Sequence, residues 1–332
     1  MRSPLFNTRI TEMLGIRHPI LCGGMGPGVS DASYVAAVVN AGGMGFIAAA
    51  GFPDSDALRE QLRMCRDLTS GKGFGVNLYI SSQAEAAELL QEYVRILAEE
   101  EVLCVETSGA SPEKILPALR DAGIKVLHKV PAVRYARSAA RLGVDAVIVV
   151  GNDCGGHPGT HGISSMVQAP HASKEISIPL VIGGGIGTGR QLAATLMMGA
   201  DAILMGSRML VAEELWIHRY YKDLLVQSDG TDSAVVKTGL QQHHRVLNNQ
   251  SAKAVAALDV TGTSDFEHYR PHVMGALTTQ AYRTGDSSLG MLDYGPSVVF
   301  ADTVQSVEAI FDEILDDAHW AMQRLQGLRS QA

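Results

Sequence analysis

The chain has 332 residues, 46% hydrophobic and 19% charged, which is enough for one large core or two domains and too apolar for a disordered segment. A formal net charge of −8 argues against nucleic acid as a partner, because phosphate backbones draw on basic surface, but it leaves room for small anions held by backbone N–H groups. No apolar run approaches the roughly 20 residues of a membrane span, and the N-terminal MRSPLFNTRITEML has no signal-peptide apolar core. Four widely spaced cysteines without a CxxC argue against structural zinc and fit reduced thiols, so a cytoplasmic protein is expected.

Short apolar, β-branched runs recur along the chain: HPIL (18–21), GFIA (45–48), GFGVN (73–77), VLCVE (102–106), KVLHK (125–129), DAVIVV (145–150), PLVIG (179–183) and DAILM (201–205). Their continuous apolar character suits parallel strands buried on both faces. Amphipathic stretches lie between them, such as Leu58, Leu62, Cys65 and Leu68, then Leu89, Leu90, Tyr93, Val94 and Leu97, with Asp54 and Ser111 placed to cap helices. Eight such units in roughly 215 residues predict an α/β TIM barrel, with a doubly wound sheet as the alternative. Residues 217–291 read as a smaller, mostly helical second domain, a substrate cap without buried strands, which leaves 1–216 plus 292–332 to the barrel. The stripe Val307, Ile310, Phe311, Ile314 and Leu315 predicts a helix that returns to close it.

Barrel enzymes carry their chemistry at the C-terminal strand ends. There the chain places CGGMG (22–26), Asn77, Glu106 with Thr107, His128 with Lys129, the loop GNDCGGHPGT (151–160), and two glycine turns, GGGIGTGR (183–190) and GSR (206–208). The two turns are expected to hold a phosphate, with N–H groups from Gly184, Gly185, Gly206 and Ser207, the Ser207 hydroxyl and a helix N-terminus. Asn77 reads either as an amide facing a flavin-type ring or as a structural amide. Lys129 either neutralises a phosphate or a reduced flavin, or is solvated. His157 is the candidate base or hydrogen-bond donor, with a loop-capping histidine as the alternative. His157, His161 and Asp153 make a poor ligand set without HExxH, so no metal is expected. Cys154 is a small buried side chain or a nucleophile activated by His157. His243, His244 and Arg245 either cap the site or form a solvated helix face.

Together, HPILCGGMG (18–26), NAGGMG (40–45), GVN (75–77), CGGHPG (154–159), GGGIGTGR (183–190), GADAILMGSRM (199–209), TGLQQHHRVLNN (238–249) and GDSSLGM (285–291) resemble the nitronate monooxygenase family, formerly the 2-nitropropane dioxygenases, over nearly the whole chain. The resemblance implies an FMN-dependent TIM-barrel oxidoreductase with an added helical domain. It implies FMN contacts from Gly24, Met25, Asn77, Lys129, Gly184, Gly185, Gly206 and Ser207, and it sets His157 against the substrate over the flavin as base or donor. Cys22, Pro27–Gly28, Thr160 and Met209 depart from the common pattern and bear on the substrate rather than the cofactor.

The activity implied is oxidation of alkyl nitronates with O₂. The alternative is a quinone or enoyl-thioester reductase that takes electrons from NADH or NADPH. A more remote alternative is a non-flavin nucleotide dehydrogenase barrel with Cys154 as nucleophile. The partner implied is a small-molecule substrate, with no nucleic acid and no membrane, and a homodimer is the assembly left open.

Overall fold

A computed structural model describes residues 3–81 and 86–328; the last four residues of the expected barrel segment 292–332 lie outside the described residues. Eight parallel strands, β1 (Ile20–Cys22), β2 (Met44–Ala48), β3 (Gly75–Ile80), β4 (Cys104–Gly109), β5 (Lys125–Val130), β6 (Ala146–Val150), β7 (Leu180–Gly183) and β8 (Ala202–Met205), pair in sequence order, and β8 closes on β1. The predicted barrel is therefore formed. Helices α1 (Arg9–Leu14), α2 (Ala32–Ala41), α3 (Ser55–Leu68), α4 (Ala86–Glu99), α5 (Leu116–Asp121), α6 (Val133–Leu142), α7 (Ser165–Glu175) and α8 (Gly189–Met197) accompany the strands.

Alternation along each strand sorts the side chains into two layers. Leu21, Met44, Phe46, Cys104, Leu127, Ile148, Val181 and Leu204 fill the barrel interior, and Ile10 and Leu14 of α1 join them. Arg9 donates to both carboxylate oxygens of Asp201, at 2.9 and 2.6 Å, and so fastens α1 beneath β8. The same alternation turns Thr107 and His128 away from the site. They are register partners on the outer face, joined at 2.8 Å between Thr107 Oγ1 and His128 Nδ1. Neither belongs to the polar rim where the sequence order put them.

Beyond the barrel come α9 (Arg219–Val226), β9 (Ser233–Val236), β10 (His244–Leu247), α10 (Gln250–Thr261), α11 (Phe266–Val273), α12 (Gly275–Thr284) and α13 (Val307–Gly327). The expectation of a mostly helical 217–291 without buried strands is corrected by two short, partly buried strands. SAVV and HRVL are too short to show a period, yet they pair as an antiparallel ribbon, His244 opposite Val236. Val236 and Val246 meet Ala252, Val255, Tyr269 and Met291 in a small separate core.

α13 lies against α8 and α2, where the helix after β8 belongs, and buries all five residues of its predicted stripe. The approach is close: a Cβ on Gly189 would lie 1.9 Å from the Ile314 carbonyl oxygen. Asp54 caps α3 by accepting from the Ala57 N–H at 2.9 Å, as expected. Ser111 instead accepts from Glu113 N–H in the turn that precedes α5. Leu68 and Leu89 are exposed, because each stripe turns off the core at its end.

Candidate active site

A cavity of about 830 Å³ opens at the C-terminal end of the barrel and is roofed by the β9–β10 unit. This is the usual size range for a bound small molecule or cofactor. Gly24, Met25, Asn77, Lys129, Gly184, Gly185, Gly206, Ser207 and His157 all line it, so the residues singled out in sequence converge in space. β3, β4 and β5 each run past the point where the apolar runs stopped, which sets Asn77, Glu106 and Lys129 inside the mouth rather than at the strand tips.

The barrel wall is organised by Glu106, which is fully buried. One carboxylate oxygen accepts from Gly24 N–H at 3.0 Å and from Asn77 Nδ2 at 2.6 Å; the other accepts from Lys129 Nζ at 2.8 Å. A buried carboxylate needs partners of this kind to hold its charge. Asn77 also directs Nδ2 toward the Glu106 carbonyl at 3.4 Å, so its donors are committed and its amide oxygen is left for a ligand. Sequence order placed Glu106 on this rim without a role. The signal was there in VLCVE: a charge ending a buried run demands neighbours that neutralise it.

The phosphate-type end is braced from behind. Ser165 donates its hydroxyl to the Gly184 carbonyl at 2.5 Å, while Asp153 accepts from Ser165 N–H at 2.8 Å. Gln191 donates to the Gly185 carbonyl at 2.8 Å and accepts from Gly187 N–H at 2.8 Å. Gly184 takes a φ of +97°, and a Cβ there would lie 2.8 Å from the Gly151 carbonyl oxygen. The N–H groups of Gly184, Gly185, Gly206 and Ser207 donate to no protein acceptor among the described residues. Four unsatisfied donors at the ends of two adjacent strands could hold an anion. The Ser207 hydroxyl accepts from Gly295 N–H at 2.9 Å, which leaves its proton and one lone pair for a ligand.

His157 enters from the β6–α7 loop. Its ring makes no hydrogen bond to protein among the described residues and stacks on His244, with centroids 4.2 Å apart and planes 20° from parallel. Solvent reaches the ring through the cavity mouth, but protein surrounds it otherwise. Desolvation, then the neighbouring His244, push its pKa down to about 3, so the ring is neutral near pH 7. His244 is not on a solvated helix. It lies on β10, buried, with Nε2 donating to Asp293 Oδ1 at 2.7 Å.

Desolvation pushes the Cys154 thiol up to about 12, so it holds its proton and is a poor nucleophile. His161 lies outside the cavity, with Nε2 2.7 Å from an Arg134 guanidinium nitrogen. Among the described residues no group of three or more His, Cys, Asp or Glu side chains could hold a metal ion, and no helix is long and apolar enough to cross a membrane. Lys237, which the sequence reading did not mark, also lines the cavity, as does Gln241 of the 238–249 stretch. Both adopt left-handed backbone, with φ of +61° and +54°.

A model of the nitronate monooxygenase family matches residues 7–317. A probable nitronate monooxygenase of Staphylococcus aureus strain JH9 is 27% identical over 356 residues, covering 95% of this chain and 98% of its own. A (3aS,4S,5R,7aS)-5-hydroxy-7a-methyl-1-oxo-octahydro-1H-indene-4-carboxyl-CoA dehydrogenase of Rhodococcus jostii is 32% identical over 241 residues, 73% of this chain and 65% of its own. Among solved structures, FabK from Thermotoga maritima is 31% identical and superposes with a TM-score of 0.89 over 98% of this chain and 100% of its own. The barrel, the glycine turns that leave four N–H groups for an anion, and the histidine loop thus come with a match along nearly the whole chain, and the chain belongs to the nitronate monooxygenase family, a family of oxidoreductases.

Proposed function

We propose that the chain binds FMN in the barrel cavity and uses it to oxidise alkyl nitronates with O₂. The observation that carries this reading is the pairing of a four-N–H anion cradle at β7 and β8 with His157 in the same cavity. The residues fit the cofactor. Gly206 has no heavy atom within 4 Å of a would-be Cβ, so its backbone opens onto the cavity, while a Cβ on Gly24 would lie 2.3 Å from Asn77 Cβ and displace that amide.

When bound, FMN supplies the redox chemistry, taking electrons from substrate and delivering them to O₂. The chain's own residues bind and orient. Gly184, Gly185, Gly206 and Ser207 hold the phosphate through backbone N–H groups. Met25 and the Asn77 amide oxygen face the ring. Lys129, which keeps two ammonium protons beyond its bond to Glu106, stabilises negative charge there. His157, neutral near pH 7, donates a hydrogen bond to a nitronate oxygen from one ring nitrogen, or accepts a proton from a nitroalkane carbon. Four free cysteines fit a reducing, cytoplasmic setting.

The similarity to the Rhodococcus carboxyl-CoA dehydrogenase favours one second reading, a reductase of quinones or enoyl-thioesters fed by NADH or NADPH. The visible spectrum of the purified protein decides between them. Flavin bands that bleach anaerobically with an alkyl nitronate, and not with NADH or NADPH, support the oxidation. Bleaching by a nucleotide supports the reductase, and a protein that takes up no FMN on reconstitution ends both readings.

A further inference from the structure

A catalytic histidine is usually oriented by a hydrogen bond that its second nitrogen donates to a carboxylate or carbonyl oxygen. Among the described residues His157 has no such partner, although its loop is firmly held. Gly156 N–H donates to the Arg245 carbonyl at 3.0 Å and Arg245 N–H returns to the Gly156 carbonyl at 2.7 Å, which staples the loop to β10. Along the same edge, opposite β9, β10 meets the segment that carries Asp293, through a bridge between Val246 and Asp293 and a bond from Leu247 N–H to the Leu292 carbonyl at 2.9 Å. The backbone therefore brings His157, His244 and Asp293 together along one edge of β10.

We infer that His244, clamped by Asp293, is a positioning residue that fixes the plane of the His157 ring by stacking and leaves both His157 nitrogens to the substrate. The inference rests on the assignment of His157 to the substrate in the proposed function. The geometry is specific. His244 spends Nε2 on Asp293 at 2.7 Å, so its ring cannot rotate without giving up a charge-assisted bond, and its face meets His157 at 4.2 Å. Its side chain is only 10% exposed, and Nδ1 is buried without a partner, a cost that a merely space-filling residue would avoid.

The stack also bears on charge. The groups that act on His157 are His244 from β10, Asp293 from the facing segment, Lys237 from the β9–β10 loop and Lys129 from β5. Asp293 alone favours a protonated ring, while His244 and the two lysines oppose it. Removing His244 takes away part of that opposition and lets the ring swing, so orientation and protonation should change together.

The test uses the FMN-loaded enzyme and two variants. His244→Ala removes the stack, and His244→Phe keeps a flat ring without nitrogens. The readouts are the pH titration of the His157 ring by carbon-13 NMR and the pH profile of kcat/KM with an alkyl nitronate. In His244→Ala the ring is expected to titrate about one pH unit higher, with kcat/KM down by about tenfold or more, since small misplacements near the reacting atoms are costly. His244→Phe is expected to share the upward titration shift while keeping kcat/KM within about threefold of wild type, because stacking alone sets the plane. A His157 titration in His244→Ala that overlays the wild type, with an unchanged pH profile, would overturn the inference. Because the titration needs no turnover, it remains decisive even if no nitronate is oxidised and the proposed function fails on its own.

Discussion

The two halves of the cavity are built on different terms. On the barrel side the polar groups are tied to one another: Glu106 gathers Gly24, Asn77 and Lys129, while Ser165 and Gln191 hold the carbonyls of Gly184 and Gly185. On the cap side the backbone and His244 are held, but the groups that face the ligand space are left without hydrogen bonds among the described residues. His157 has only a stacking contact, and no hydrogen bond or ion pair holds the Lys237 ammonium among the described residues. The barrel side is preorganised for a ligand that stays, and its geometry is fixed by strand register. The cap side keeps donors free for a ligand that comes and goes, and it carries residues that a barrel alone would not supply.

The largest effect should come from cutting the hub of the fixed side. Glu106→Ala strips partners from Gly24, Asn77 and Lys129 at once and leaves a partly buried ammonium without its counter-charge. Loss of a buried partner of this kind costs about 3 kcal/mol or more, to be seen as a lower denaturant midpoint, and the purified variant should contain little FMN. A variant that keeps full flavin content would show that the cradle does not depend on Glu106.

The free side should behave in the opposite way. His157→Ala is expected to keep FMN and stability but to lose about 10²–10⁴-fold in kcat/KM. Since desolvation holds the wild-type ring neutral down to about pH 3, the rate should show no histidine step between pH 7 and about pH 5. A rate that falls with a midpoint near the ordinary histidine value, about 6.5, would place a charged ring in the working enzyme.

A smaller effect separates backbone from side chain in the cradle. Gly184→Ala puts a Cβ 2.8 Å from the Gly151 carbonyl oxygen at a φ of +97°. It should weaken FMN binding by about 10-fold or more, as expected for about 1–3 kcal/mol of local strain, and leave the apoprotein folded. Flavin-to-protein ratio after dilution and dialysis reads it directly. Equal retention in the variant and the wild type would mean that the loop relaxes without disturbing its N–H groups.

The fixed side was the legible one. Continuous apolar runs announced eight buried strands, and glycine turns after the last two marked where four N–H groups line the cavity without a protein acceptor among the described residues, because both follow from barrel geometry and leave a local trace. Glu106 carried a trace that was visible but unassigned. Asp293 and Lys237 carried none. Lys237 reaches the cavity on left-handed backbone just past β9, in a ribbon of four residues per strand that is too short for periodicity, and Asp293 reaches it from a segment joined to β10 by a single bridge. His243, His244 and Arg245 read equally as a cap over the site or as a solvated helix face; His243 and His244 line the cavity, and His244 and Arg245 lie on a strand. On a strand, alternation sends Arg245 away from His244, and its guanidinium donates to the Ser233 hydroxyl at 3.1 Å and the Asn152 carbonyl at 3.2 Å.

The smallest effect tests a residue that sequence order had put on the rim. His128 is buried in the outer layer, and desolvation pushes its pKa down to about 4. In the unfolded chain the ring titrates near 6.5. Between those values the unfolded state binds a proton that the folded state refuses, so stability falls as pH drops through about 6.5 and levels off only below about pH 4. At pH 5.5 the loss from this one ring is about 1 kcal/mol. His128→Gln carries no titrating proton, so the decrease in unfolding free energy between pH 7 and pH 5.5 should shrink by about that amount, whatever the variant costs at pH 7. Urea denaturation at the two pH values measures it. An equal pH-dependent loss in both proteins would mean that His128 is protonated in the fold and that its ring, bonded to Thr107, is better solvated than its burial implies.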